Sequence, residues 1–345
     1  MKSIPNSTSP RLKGFELFLA SFIALYFEML IIRWLAAEVR LFSYFKNITM
    51  MAAFLGLGIG FALASRKKDY WKLFTPFLLV YVGLVLALGN FLGPWVIAPE
   101  TSEYLWITLD LTLALSTTIF TLIVIFFFIY TMTIFILPGQ LIGRLMKGWK
   151  PITAYIYNLA GSLVGILVFA WVSYSFFPPA GWFSIGLVGV LWFSRTDGKR
   201  FAINGVLSVV IVGMLVLFQR ETLWSPYYRV DVYPLDAGFG FNNQDPWEAG
   251  FNLEVNQLAH MTAVNLSEDY LDENPEYAKS ISFFEAIYNL PYTLTEPGKV
   301  LVVGAGTGND TAAALRAGVE DISGVEIDPL IYQIARDNHP EAPYD

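Results

Sequence analysis

The chain reads as a polytopic α-helical membrane bundle of about seven spans, followed by a small β unit and the start of an α/β domain. Three observations support this. Of its 345 residues, 55% are hydrophobic and only 15% charged, against about 25% charged in an ordinary soluble protein. The charge deficit falls in the first two thirds, where apolar runs able to cross about 30 Å of hydrocarbon recur. After Phe218 the composition turns polar, and the β-branched run Val300–Val303 leads into G-A-G-T-G-N-D, a strand entering a glycine turn.

Residues 1–13 are a polar tail with Lys2, Arg11 and Lys13, and 14–219 form the transmembrane domain. Spans are expected near 14–36, 48–64, 71–92, 111–137, 152–177, 182–193 and 201–218. The first is too long for a signal peptide and lacks the small-residue cleavage pattern. The stretch 182–193 is short, as a tilted or half-crossing element would be, and 103–146 has room for a broken helix. Basic residues cluster in alternate loops: Arg66, Lys67 and Lys68; Arg144, Lys147 and Lys150; Arg195, Lys199 and Arg200. The loops 93–103 and 178–181 have neither Lys nor Arg, which places the N-terminus inside.

Two features within the spans call for reasons. Glu28 and Arg33 sit in an apolar helix, where charge is costly. Either they line a substrate or ion path, or Arg33 snorkels to the interface while Glu28 pairs with a neighbour; the second reading is preferred. Gly56, Gly58 and Gly60, and Gly161-x-x-x-Gly165, suit close helix approach. Packing within the bundle is the plain reading, and a homo-oligomer the alternative.

The C-terminal third has two parts. In 220–275, Trp224 to Leu235 alternates as a half-buried strand, 236–250 is rich in turns, and 251–258 with 261–266 reads as a hairpin, giving a small antiparallel β unit. In 276–345 a helix over 276–289 precedes the strand 300–303, the glycines Gly304, Gly306 and Gly308, and a helix that Asn309 and Asp310 can cap and Gly318 ends. A second strand over 321–327 carries Glu326 near its end, and a helix follows over 330–338. Glycines let a ligand approach the backbone, and an acid at the second strand's tip, roughly 20 residues on, can accept from both hydroxyls of a ribose. The alternative is a structural turn.

Partner classes are bounded by composition. The formal charge of −7, with no basic cluster beyond short loop runs, argues against nucleic acid as a partner. With no cysteine and two histidines there is no thiolate metal site, disulfide framework, cysteine nucleophile or His-rich metal cluster.

V-L-V-V-G-A-G-T-G followed by G-V-E-I-D-P resembles the first two motifs of class I S-adenosylmethionine-dependent transferases, and within them the spermidine synthase-like group. Trp224 to Val232 resembles that group's opening strand, and Ser282 to Pro291 the helix leading into its core. E-M-L-I-I-R-W-L and F-L-G-L-G-I-G-F-A resemble the first two helices of bacterial membrane-embedded members. The resemblance implies a Rossmann-like domain binding S-adenosylmethionine or its decarboxylated form as substrate. It places Gly304, Gly306, Gly308 and Glu326 on the nucleoside, Asp310 near the ligand's amino acid end, and Gln257 where the family has a Gln beside the nucleoside. An exposed strand Gln is the equal alternative for Gln257, and a helix cap a sufficient role for Asp310. The setting implied is the bacterial inner membrane, with the lipid bilayer as partner and the C-terminal domain cytoplasmic, where the cofactor is made. Seven crossings from an inside N-terminus point the other way.

The acceptor side departs from the family. Thr307 stands where the family has an Asp, and Phe283 and Phe284 stand where it has a Tyr and a polar residue. Methyl transfer and aminopropyl transfer (polyamine biosynthesis) therefore both stay open, with a small-molecule amine or a hydrophobic acceptor. The family's catalytic Asp motif has no counterpart up to Asp345, so the chain as given is expected to lack the catalytic half, and no catalytic residue is assigned. A transporter, or a membrane scaffold with a nucleoside-sensing or degenerate Rossmann-like domain, is the alternative.

Overall fold

The computed structural model describes residues 10–92, 113–235 and 245–344. The tail at 1–9, the loop lacking Lys and Arg at 93–103 with the beginning of the fourth span, and the turn-rich stretch at 236–244 lie outside the described residues. Two compact units are present, Met1–Glu221 and Thr222–Asp345.

The first unit is helical. α1 (Pro10–Glu38) leads through the short α2 (Arg40–Tyr44) into α3 (Lys46–Ala62), then α4 (Phe74–Ala87), α5 (Leu113–Leu145), α6 (Pro151–Tyr174), α7 (Pro179–Trp192) and α8 (Gly198–Phe218). Six stretches are long and apolar enough to cross a membrane: Arg11–Glu38, Lys46–Ser65, Trp71–Asn90, Thr121–Leu145, Pro151–Tyr174 and Gly198–Phe218. α7, with 14 residues, covers only about 21 Å, as expected for the short span at 182–193. α5 runs unbroken through Pro138, so the broken helix allowed for in 103–146 is absent between 113 and 145.

Glycines bring two helix pairs into backbone contact. A Cβ on Gly161 would lie 2.1 Å from the Phe18 carbonyl oxygen, and one on Gly165 2.5 Å from that of Phe22. α6 therefore runs parallel to α1. On α3, a Cβ at Gly56 would lie 2.2 Å from the Met132 oxygen and one at Gly60 2.4 Å from that of Ile136, whereas Gly58 faces open space. The small residues serve packing inside the bundle, since both partners belong to the same chain.

Polar contacts mark the two ends of α1. Glu16, buried, pairs with Arg195 in the α7–α8 turn at 3.0 Å. Glu38, also buried, accepts from the Gln219 amide just after α8. These positions are about 33 Å apart along the helix, so α8 ends at the face opposite Arg195. Trp149 meets Tyr157 at 5.5 Å, Tyr157 abuts Gly14, and Lys147 donates to the Ala64 carbonyl at 3.1 Å. The basic turns at 66–68 and 144–150 thus share the Glu16 face. Arg33 lies 4.8 Å over the Trp182 ring.

The second unit opens with β1 (Leu223–Trp224), β2 (Arg229–Pro234), α9 (Pro246–Ala249), β3 (Gly250–Val255) and β4 (Leu258–Val264). The four strands form an antiparallel sheet in the order β1-β2-β3-β4. The hairpin is present, but its turn is Asn256–Gln257, at φ 51° and 62°, and not 259–260; two left-handed residues match the twist of the flanking strands. α10 (Glu268–Glu273) precedes α11 (Pro275–Ser280) and α12 (Ser282–Leu294), so the single helix expected over 276–289 is two, parted at Ile281. β5 (Lys299–Val303), α13 (Asn309–Arg316), β6 (Asp321–Val325) and α14 (Pro329–Asn338) complete it, with β5 and β6 parallel.

Val230, Phe251, Leu253 and Ala263 of the antiparallel sheet form one core with Ile331 and Ile334 of α14. Residue 275 thus marks a change of element and no gap in packing. Leu301, Val303, Val325 and Ile327 are exposed on the β5–β6 pair, as are Phe283, Ile287, Leu290 and Leu294 along one stripe of α12.

If Gly161 and Gly56 are backbone contacts, Gly161→Ala and Gly56→Ala each cost about 1–3 kcal/mol, read as a lower melting temperature in detergent. Gly58→Ala, into open space, leaves it unchanged or slightly raised.

Candidate functional site

The loop between β5 and α13 holds three left-handed glycines, Gly304 at φ 73°, Gly306 at 54° and Gly308 at 103°, a conformation other residues resist. The N–H groups of Gly304 and Ala305 donate to the Val325 carbonyl at 2.8 and 3.0 Å, which ties the loop to the end of β6. A Cβ on Gly306 would lie 2.5 Å from the Met261 sulfur, the far end of a flexible side chain, so it is the left-handed backbone more than the space that favours glycine there.

Glu326 follows β6 directly. Its Oε2 accepts the Gly306 N–H at 2.8 Å and its Oε1 the Asp328 N–H at 2.9 Å. A carboxylate has about four acceptor positions, so each oxygen keeps one while two backbone bonds fix the group's orientation. Asp328, fully buried, caps α14 through the Leu330 N–H at 2.9 Å and accepts from Ser225 Oγ at 2.5 Å. That Ser225 oxygen also accepts from the Tyr227 and Tyr228 N–H groups. The S-P-Y-Y turn therefore anchors the end of β6 to the antiparallel sheet.

Glu326 borders a cavity of about 350 Å³ walled by Thr311 and Leu315 of α13, Ile322 and Gly324 of β6, Glu320, Tyr332, Ala305, Pro343 and Tyr344. Its size falls in the range of small-molecule pockets. Tyr344 donates to the Ala305 carbonyl at 3.3 Å, and its ring lies 5.2 Å from that of Tyr332. Burial holds the Tyr344 hydroxyl above its usual pKa. Among the described residues, two carboxylates and no cation line this space.

The other expected site residues are dispersed. Asn309 and Asp310 do not cap α13: Gly308 takes the cap position, without a side-chain bond. Asp310 stands exposed in the first turn, where partial desolvation raises its pKa against its own backbone N–H, which lowers it. Gln257 is a buried residue of the β3–β4 turn, neither an exposed strand Gln nor a wall of the cavity. Phe283 and Phe284 part company. The first is exposed, and the second stacks on Tyr288 with ring centroids 6.4 Å apart, against the core of Leu266, Tyr277 and Ile281.

Sequence reasoning missed Tyr332, Tyr344 and His339, and gave Asn309 only a cap's role. Asn309 is buried; its Nδ2 donates to the Thr262 carbonyl at 2.7 Å, and its Oδ1 accepts the Val264 N–H at 3.2 Å. His339 Nε2 completes the set at 3.1 Å from Oδ1, while its Nδ1 accepts the Glu341 N–H at 3.1 Å. These partners require the neutral ring with its proton on Nε2. Comparison with known protein families, curated proteins and solved structures finds no match to this chain.

Burial, helped by the Arg316 charge, pushes the His339 pKa down to about 4 from 6.5. Its contribution is full above pH 6.5 and is lost as pH falls toward 4, because the unfolded chain binds the proton first. The span of that shift corresponds to about 3 kcal/mol. Thermal melts of the full chain in detergent between pH 7 and 4.5 should therefore steepen in loss of stability, and His339→Gln should flatten that dependence.

Proposed function

We propose that this protein is a membrane-anchored transferase that takes S-adenosylmethionine or its decarboxylated form into the cavity beside Glu326, through a Rossmann-like arrangement of β5, α13, β6 and α14. The observation that carries the reading is the Glu326 carboxylate, pinned by the Gly306 and Asp328 N–H groups with one acceptor position left on each oxygen. A ribose diol presents two donors to such a group. The lining favours a cationic nucleoside over a phosphate, because Glu320 and Glu326 would repel a pyrophosphate and attract a sulfonium. The exposed apolar residues of β5–β6 and the apolar stripe of α12 suit the two-sided covering that parallel sheets of such enzymes have.

Transfer of a methyl or an aminopropyl group is consistent with this half of the site. The exposed Phe283 and the absence of an Asp at Thr307 favour a hydrophobic or membrane-delivered acceptor over a soluble diamine. One observation supports a second reading, a nucleoside-sensing transporter: a buried carboxyl in the bundle, taken up below.

The transferase reading needs the site in the cytoplasm of a bacterial cell, behind the inner membrane. The bundle's polarity opposes it, since the basic turns share the Glu16 face and α8 ends at the other. The chain has no cysteine, so Asp245→Cys and Lys67→Cys variants can be labelled in intact cells with a membrane-impermeant maleimide. The reading requires position 245 to label only after permeabilisation; labelling there in intact cells overturns it.

Ligand binding provides the direct test. The full chain in detergent should bind S-adenosylmethionine or its decarboxylated form saturably, and Glu326→Gln should weaken binding about tenfold to a hundredfold. Tight putrescine binding would sink the hydrophobic-acceptor part of the reading. Absence of binding by either sulfonium would sink the whole.

A further inference from the structure

Between Gly14 and Glu38, α1 carries four charged side chains, and three have visible neighbours. Glu16 pairs with Arg195, Arg33 lies over Trp182, and Glu38 accepts from Gln219. Glu28 differs. Its side chain is fully buried, and among the described residues neither carboxyl oxygen has a hydrogen-bond partner.

Its depth is equally distinctive. At 1.5 Å per residue it lies about 18 Å from Glu16 and about 15 Å from Glu38, close to the midpoint between the two faces. The elements packed on α1 are α2, α3, α4, α5, α6 and α7. Among them α4, α6 and α7 carry no charged residue; α2 has Arg40 near the Glu38 face, α3 begins with the exposed Lys46, and Arg144 of α5 is held by Asp69 at the Glu16 face. The hydroxyls of the buried Tyr26 and Tyr81 are committed to the Trp182 carbonyl and to Thr131, and that of the half-buried Tyr130 to the Phe77 carbonyl. Arg33, five residues on, projects from a face about 140° away around the helix. No described group compensates a charge on Glu28.

We propose that Glu28 is a proton-binding site built into the middle of the bundle. An ionised carboxylate in such surroundings is prohibitive without a counterion, whereas the carboxylic acid is tolerated. A group of this kind is costly as mere packing, and ionisable residues at such depth serve proton and ion paths. The membrane part is then a working element of the protein as well as an anchor. This inference does not rest on the nucleoside site.

Infrared spectroscopy of the full chain in detergent reads the proton directly. At neutral pH the wild type is expected to show a protonated-carboxyl C=O band that shifts in D2O. The band should disappear in Glu28→Gln and return at a shifted position in Glu28→Asp, the second variant guarding against loss of fold in the first. A wild type without the band, a band unchanged in Glu28→Gln, or one that does not respond to D2O overturns the proposal.

Discussion

The glycine loop keeps its place because one buried amide occupies an otherwise open strand edge. β4 is the last strand of its sheet, and the Asn309 side chain bonds the Thr262 carbonyl and the Val264 N–H as a neighbouring strand would. Left unpaired at depth, each of those groups would cost about 1–3 kcal/mol. Glu341 continues the edge by accepting the Leu266 N–H at 2.9 Å while pairing with Arg316 of α13. The same Asn309 amide takes the His339 Nε2 at 3.1 Å, so the docking of α13 on the antiparallel sheet also fixes one partner of that ring.

The membrane part answers the same demand by different means. Without water, its polar groups must find partners inside the bundle. Ser21 bonds Asn158, Tyr81 bonds Thr131, and the fully buried Gln140 bonds the Tyr70 N–H and the Leu63 and Lys68 carbonyls. Gly56, Gly60, Gly161 and Gly165 replace side-chain layers by backbone contact, which is how helices gain dispersion energy where lipid is as apolar as leucine. Trp34 Nε1, Thr49 Oγ1, Trp192 Nε1 and Ser208 Oγ are also buried without a hydrogen-bond partner, but among the described residues Glu28 is the carboxyl in that position.

Much of the fold was legible because its signals are local. The spans follow from apolar length, and the β5–α13–β6 sequence follows from a β-branched run, glycines and Gly318 at φ 79°. Glu326 was legible for the same reason. What escaped depends on contacts distant in sequence. Asn309 reads as a helix cap until β4, some 45 residues earlier, is seen to need its amide. Gln257 was placed on a strand because Ala259–His260 looked like the turn; the signal for the true turn was Asn256, a residue that tolerates left-handed backbone. Tyr332 and Tyr344 carry no motif; the first reaches the cavity from α14, and the second only through the return of the chain past Pro343.

The cavity beside Glu326 is proposed to receive a sulfonium nucleoside. Photo-crosslinking of the full chain in detergent with an azidoadenine derivative of S-adenosylmethionine, mapped by peptide mass spectrometry, tests it most directly. The label is expected on peptides holding Tyr332 or Tyr344, and excess S-adenosylmethionine should displace it. Labelling confined to the membrane helices, or labelling that excess S-adenosylmethionine does not reduce, would contradict the account.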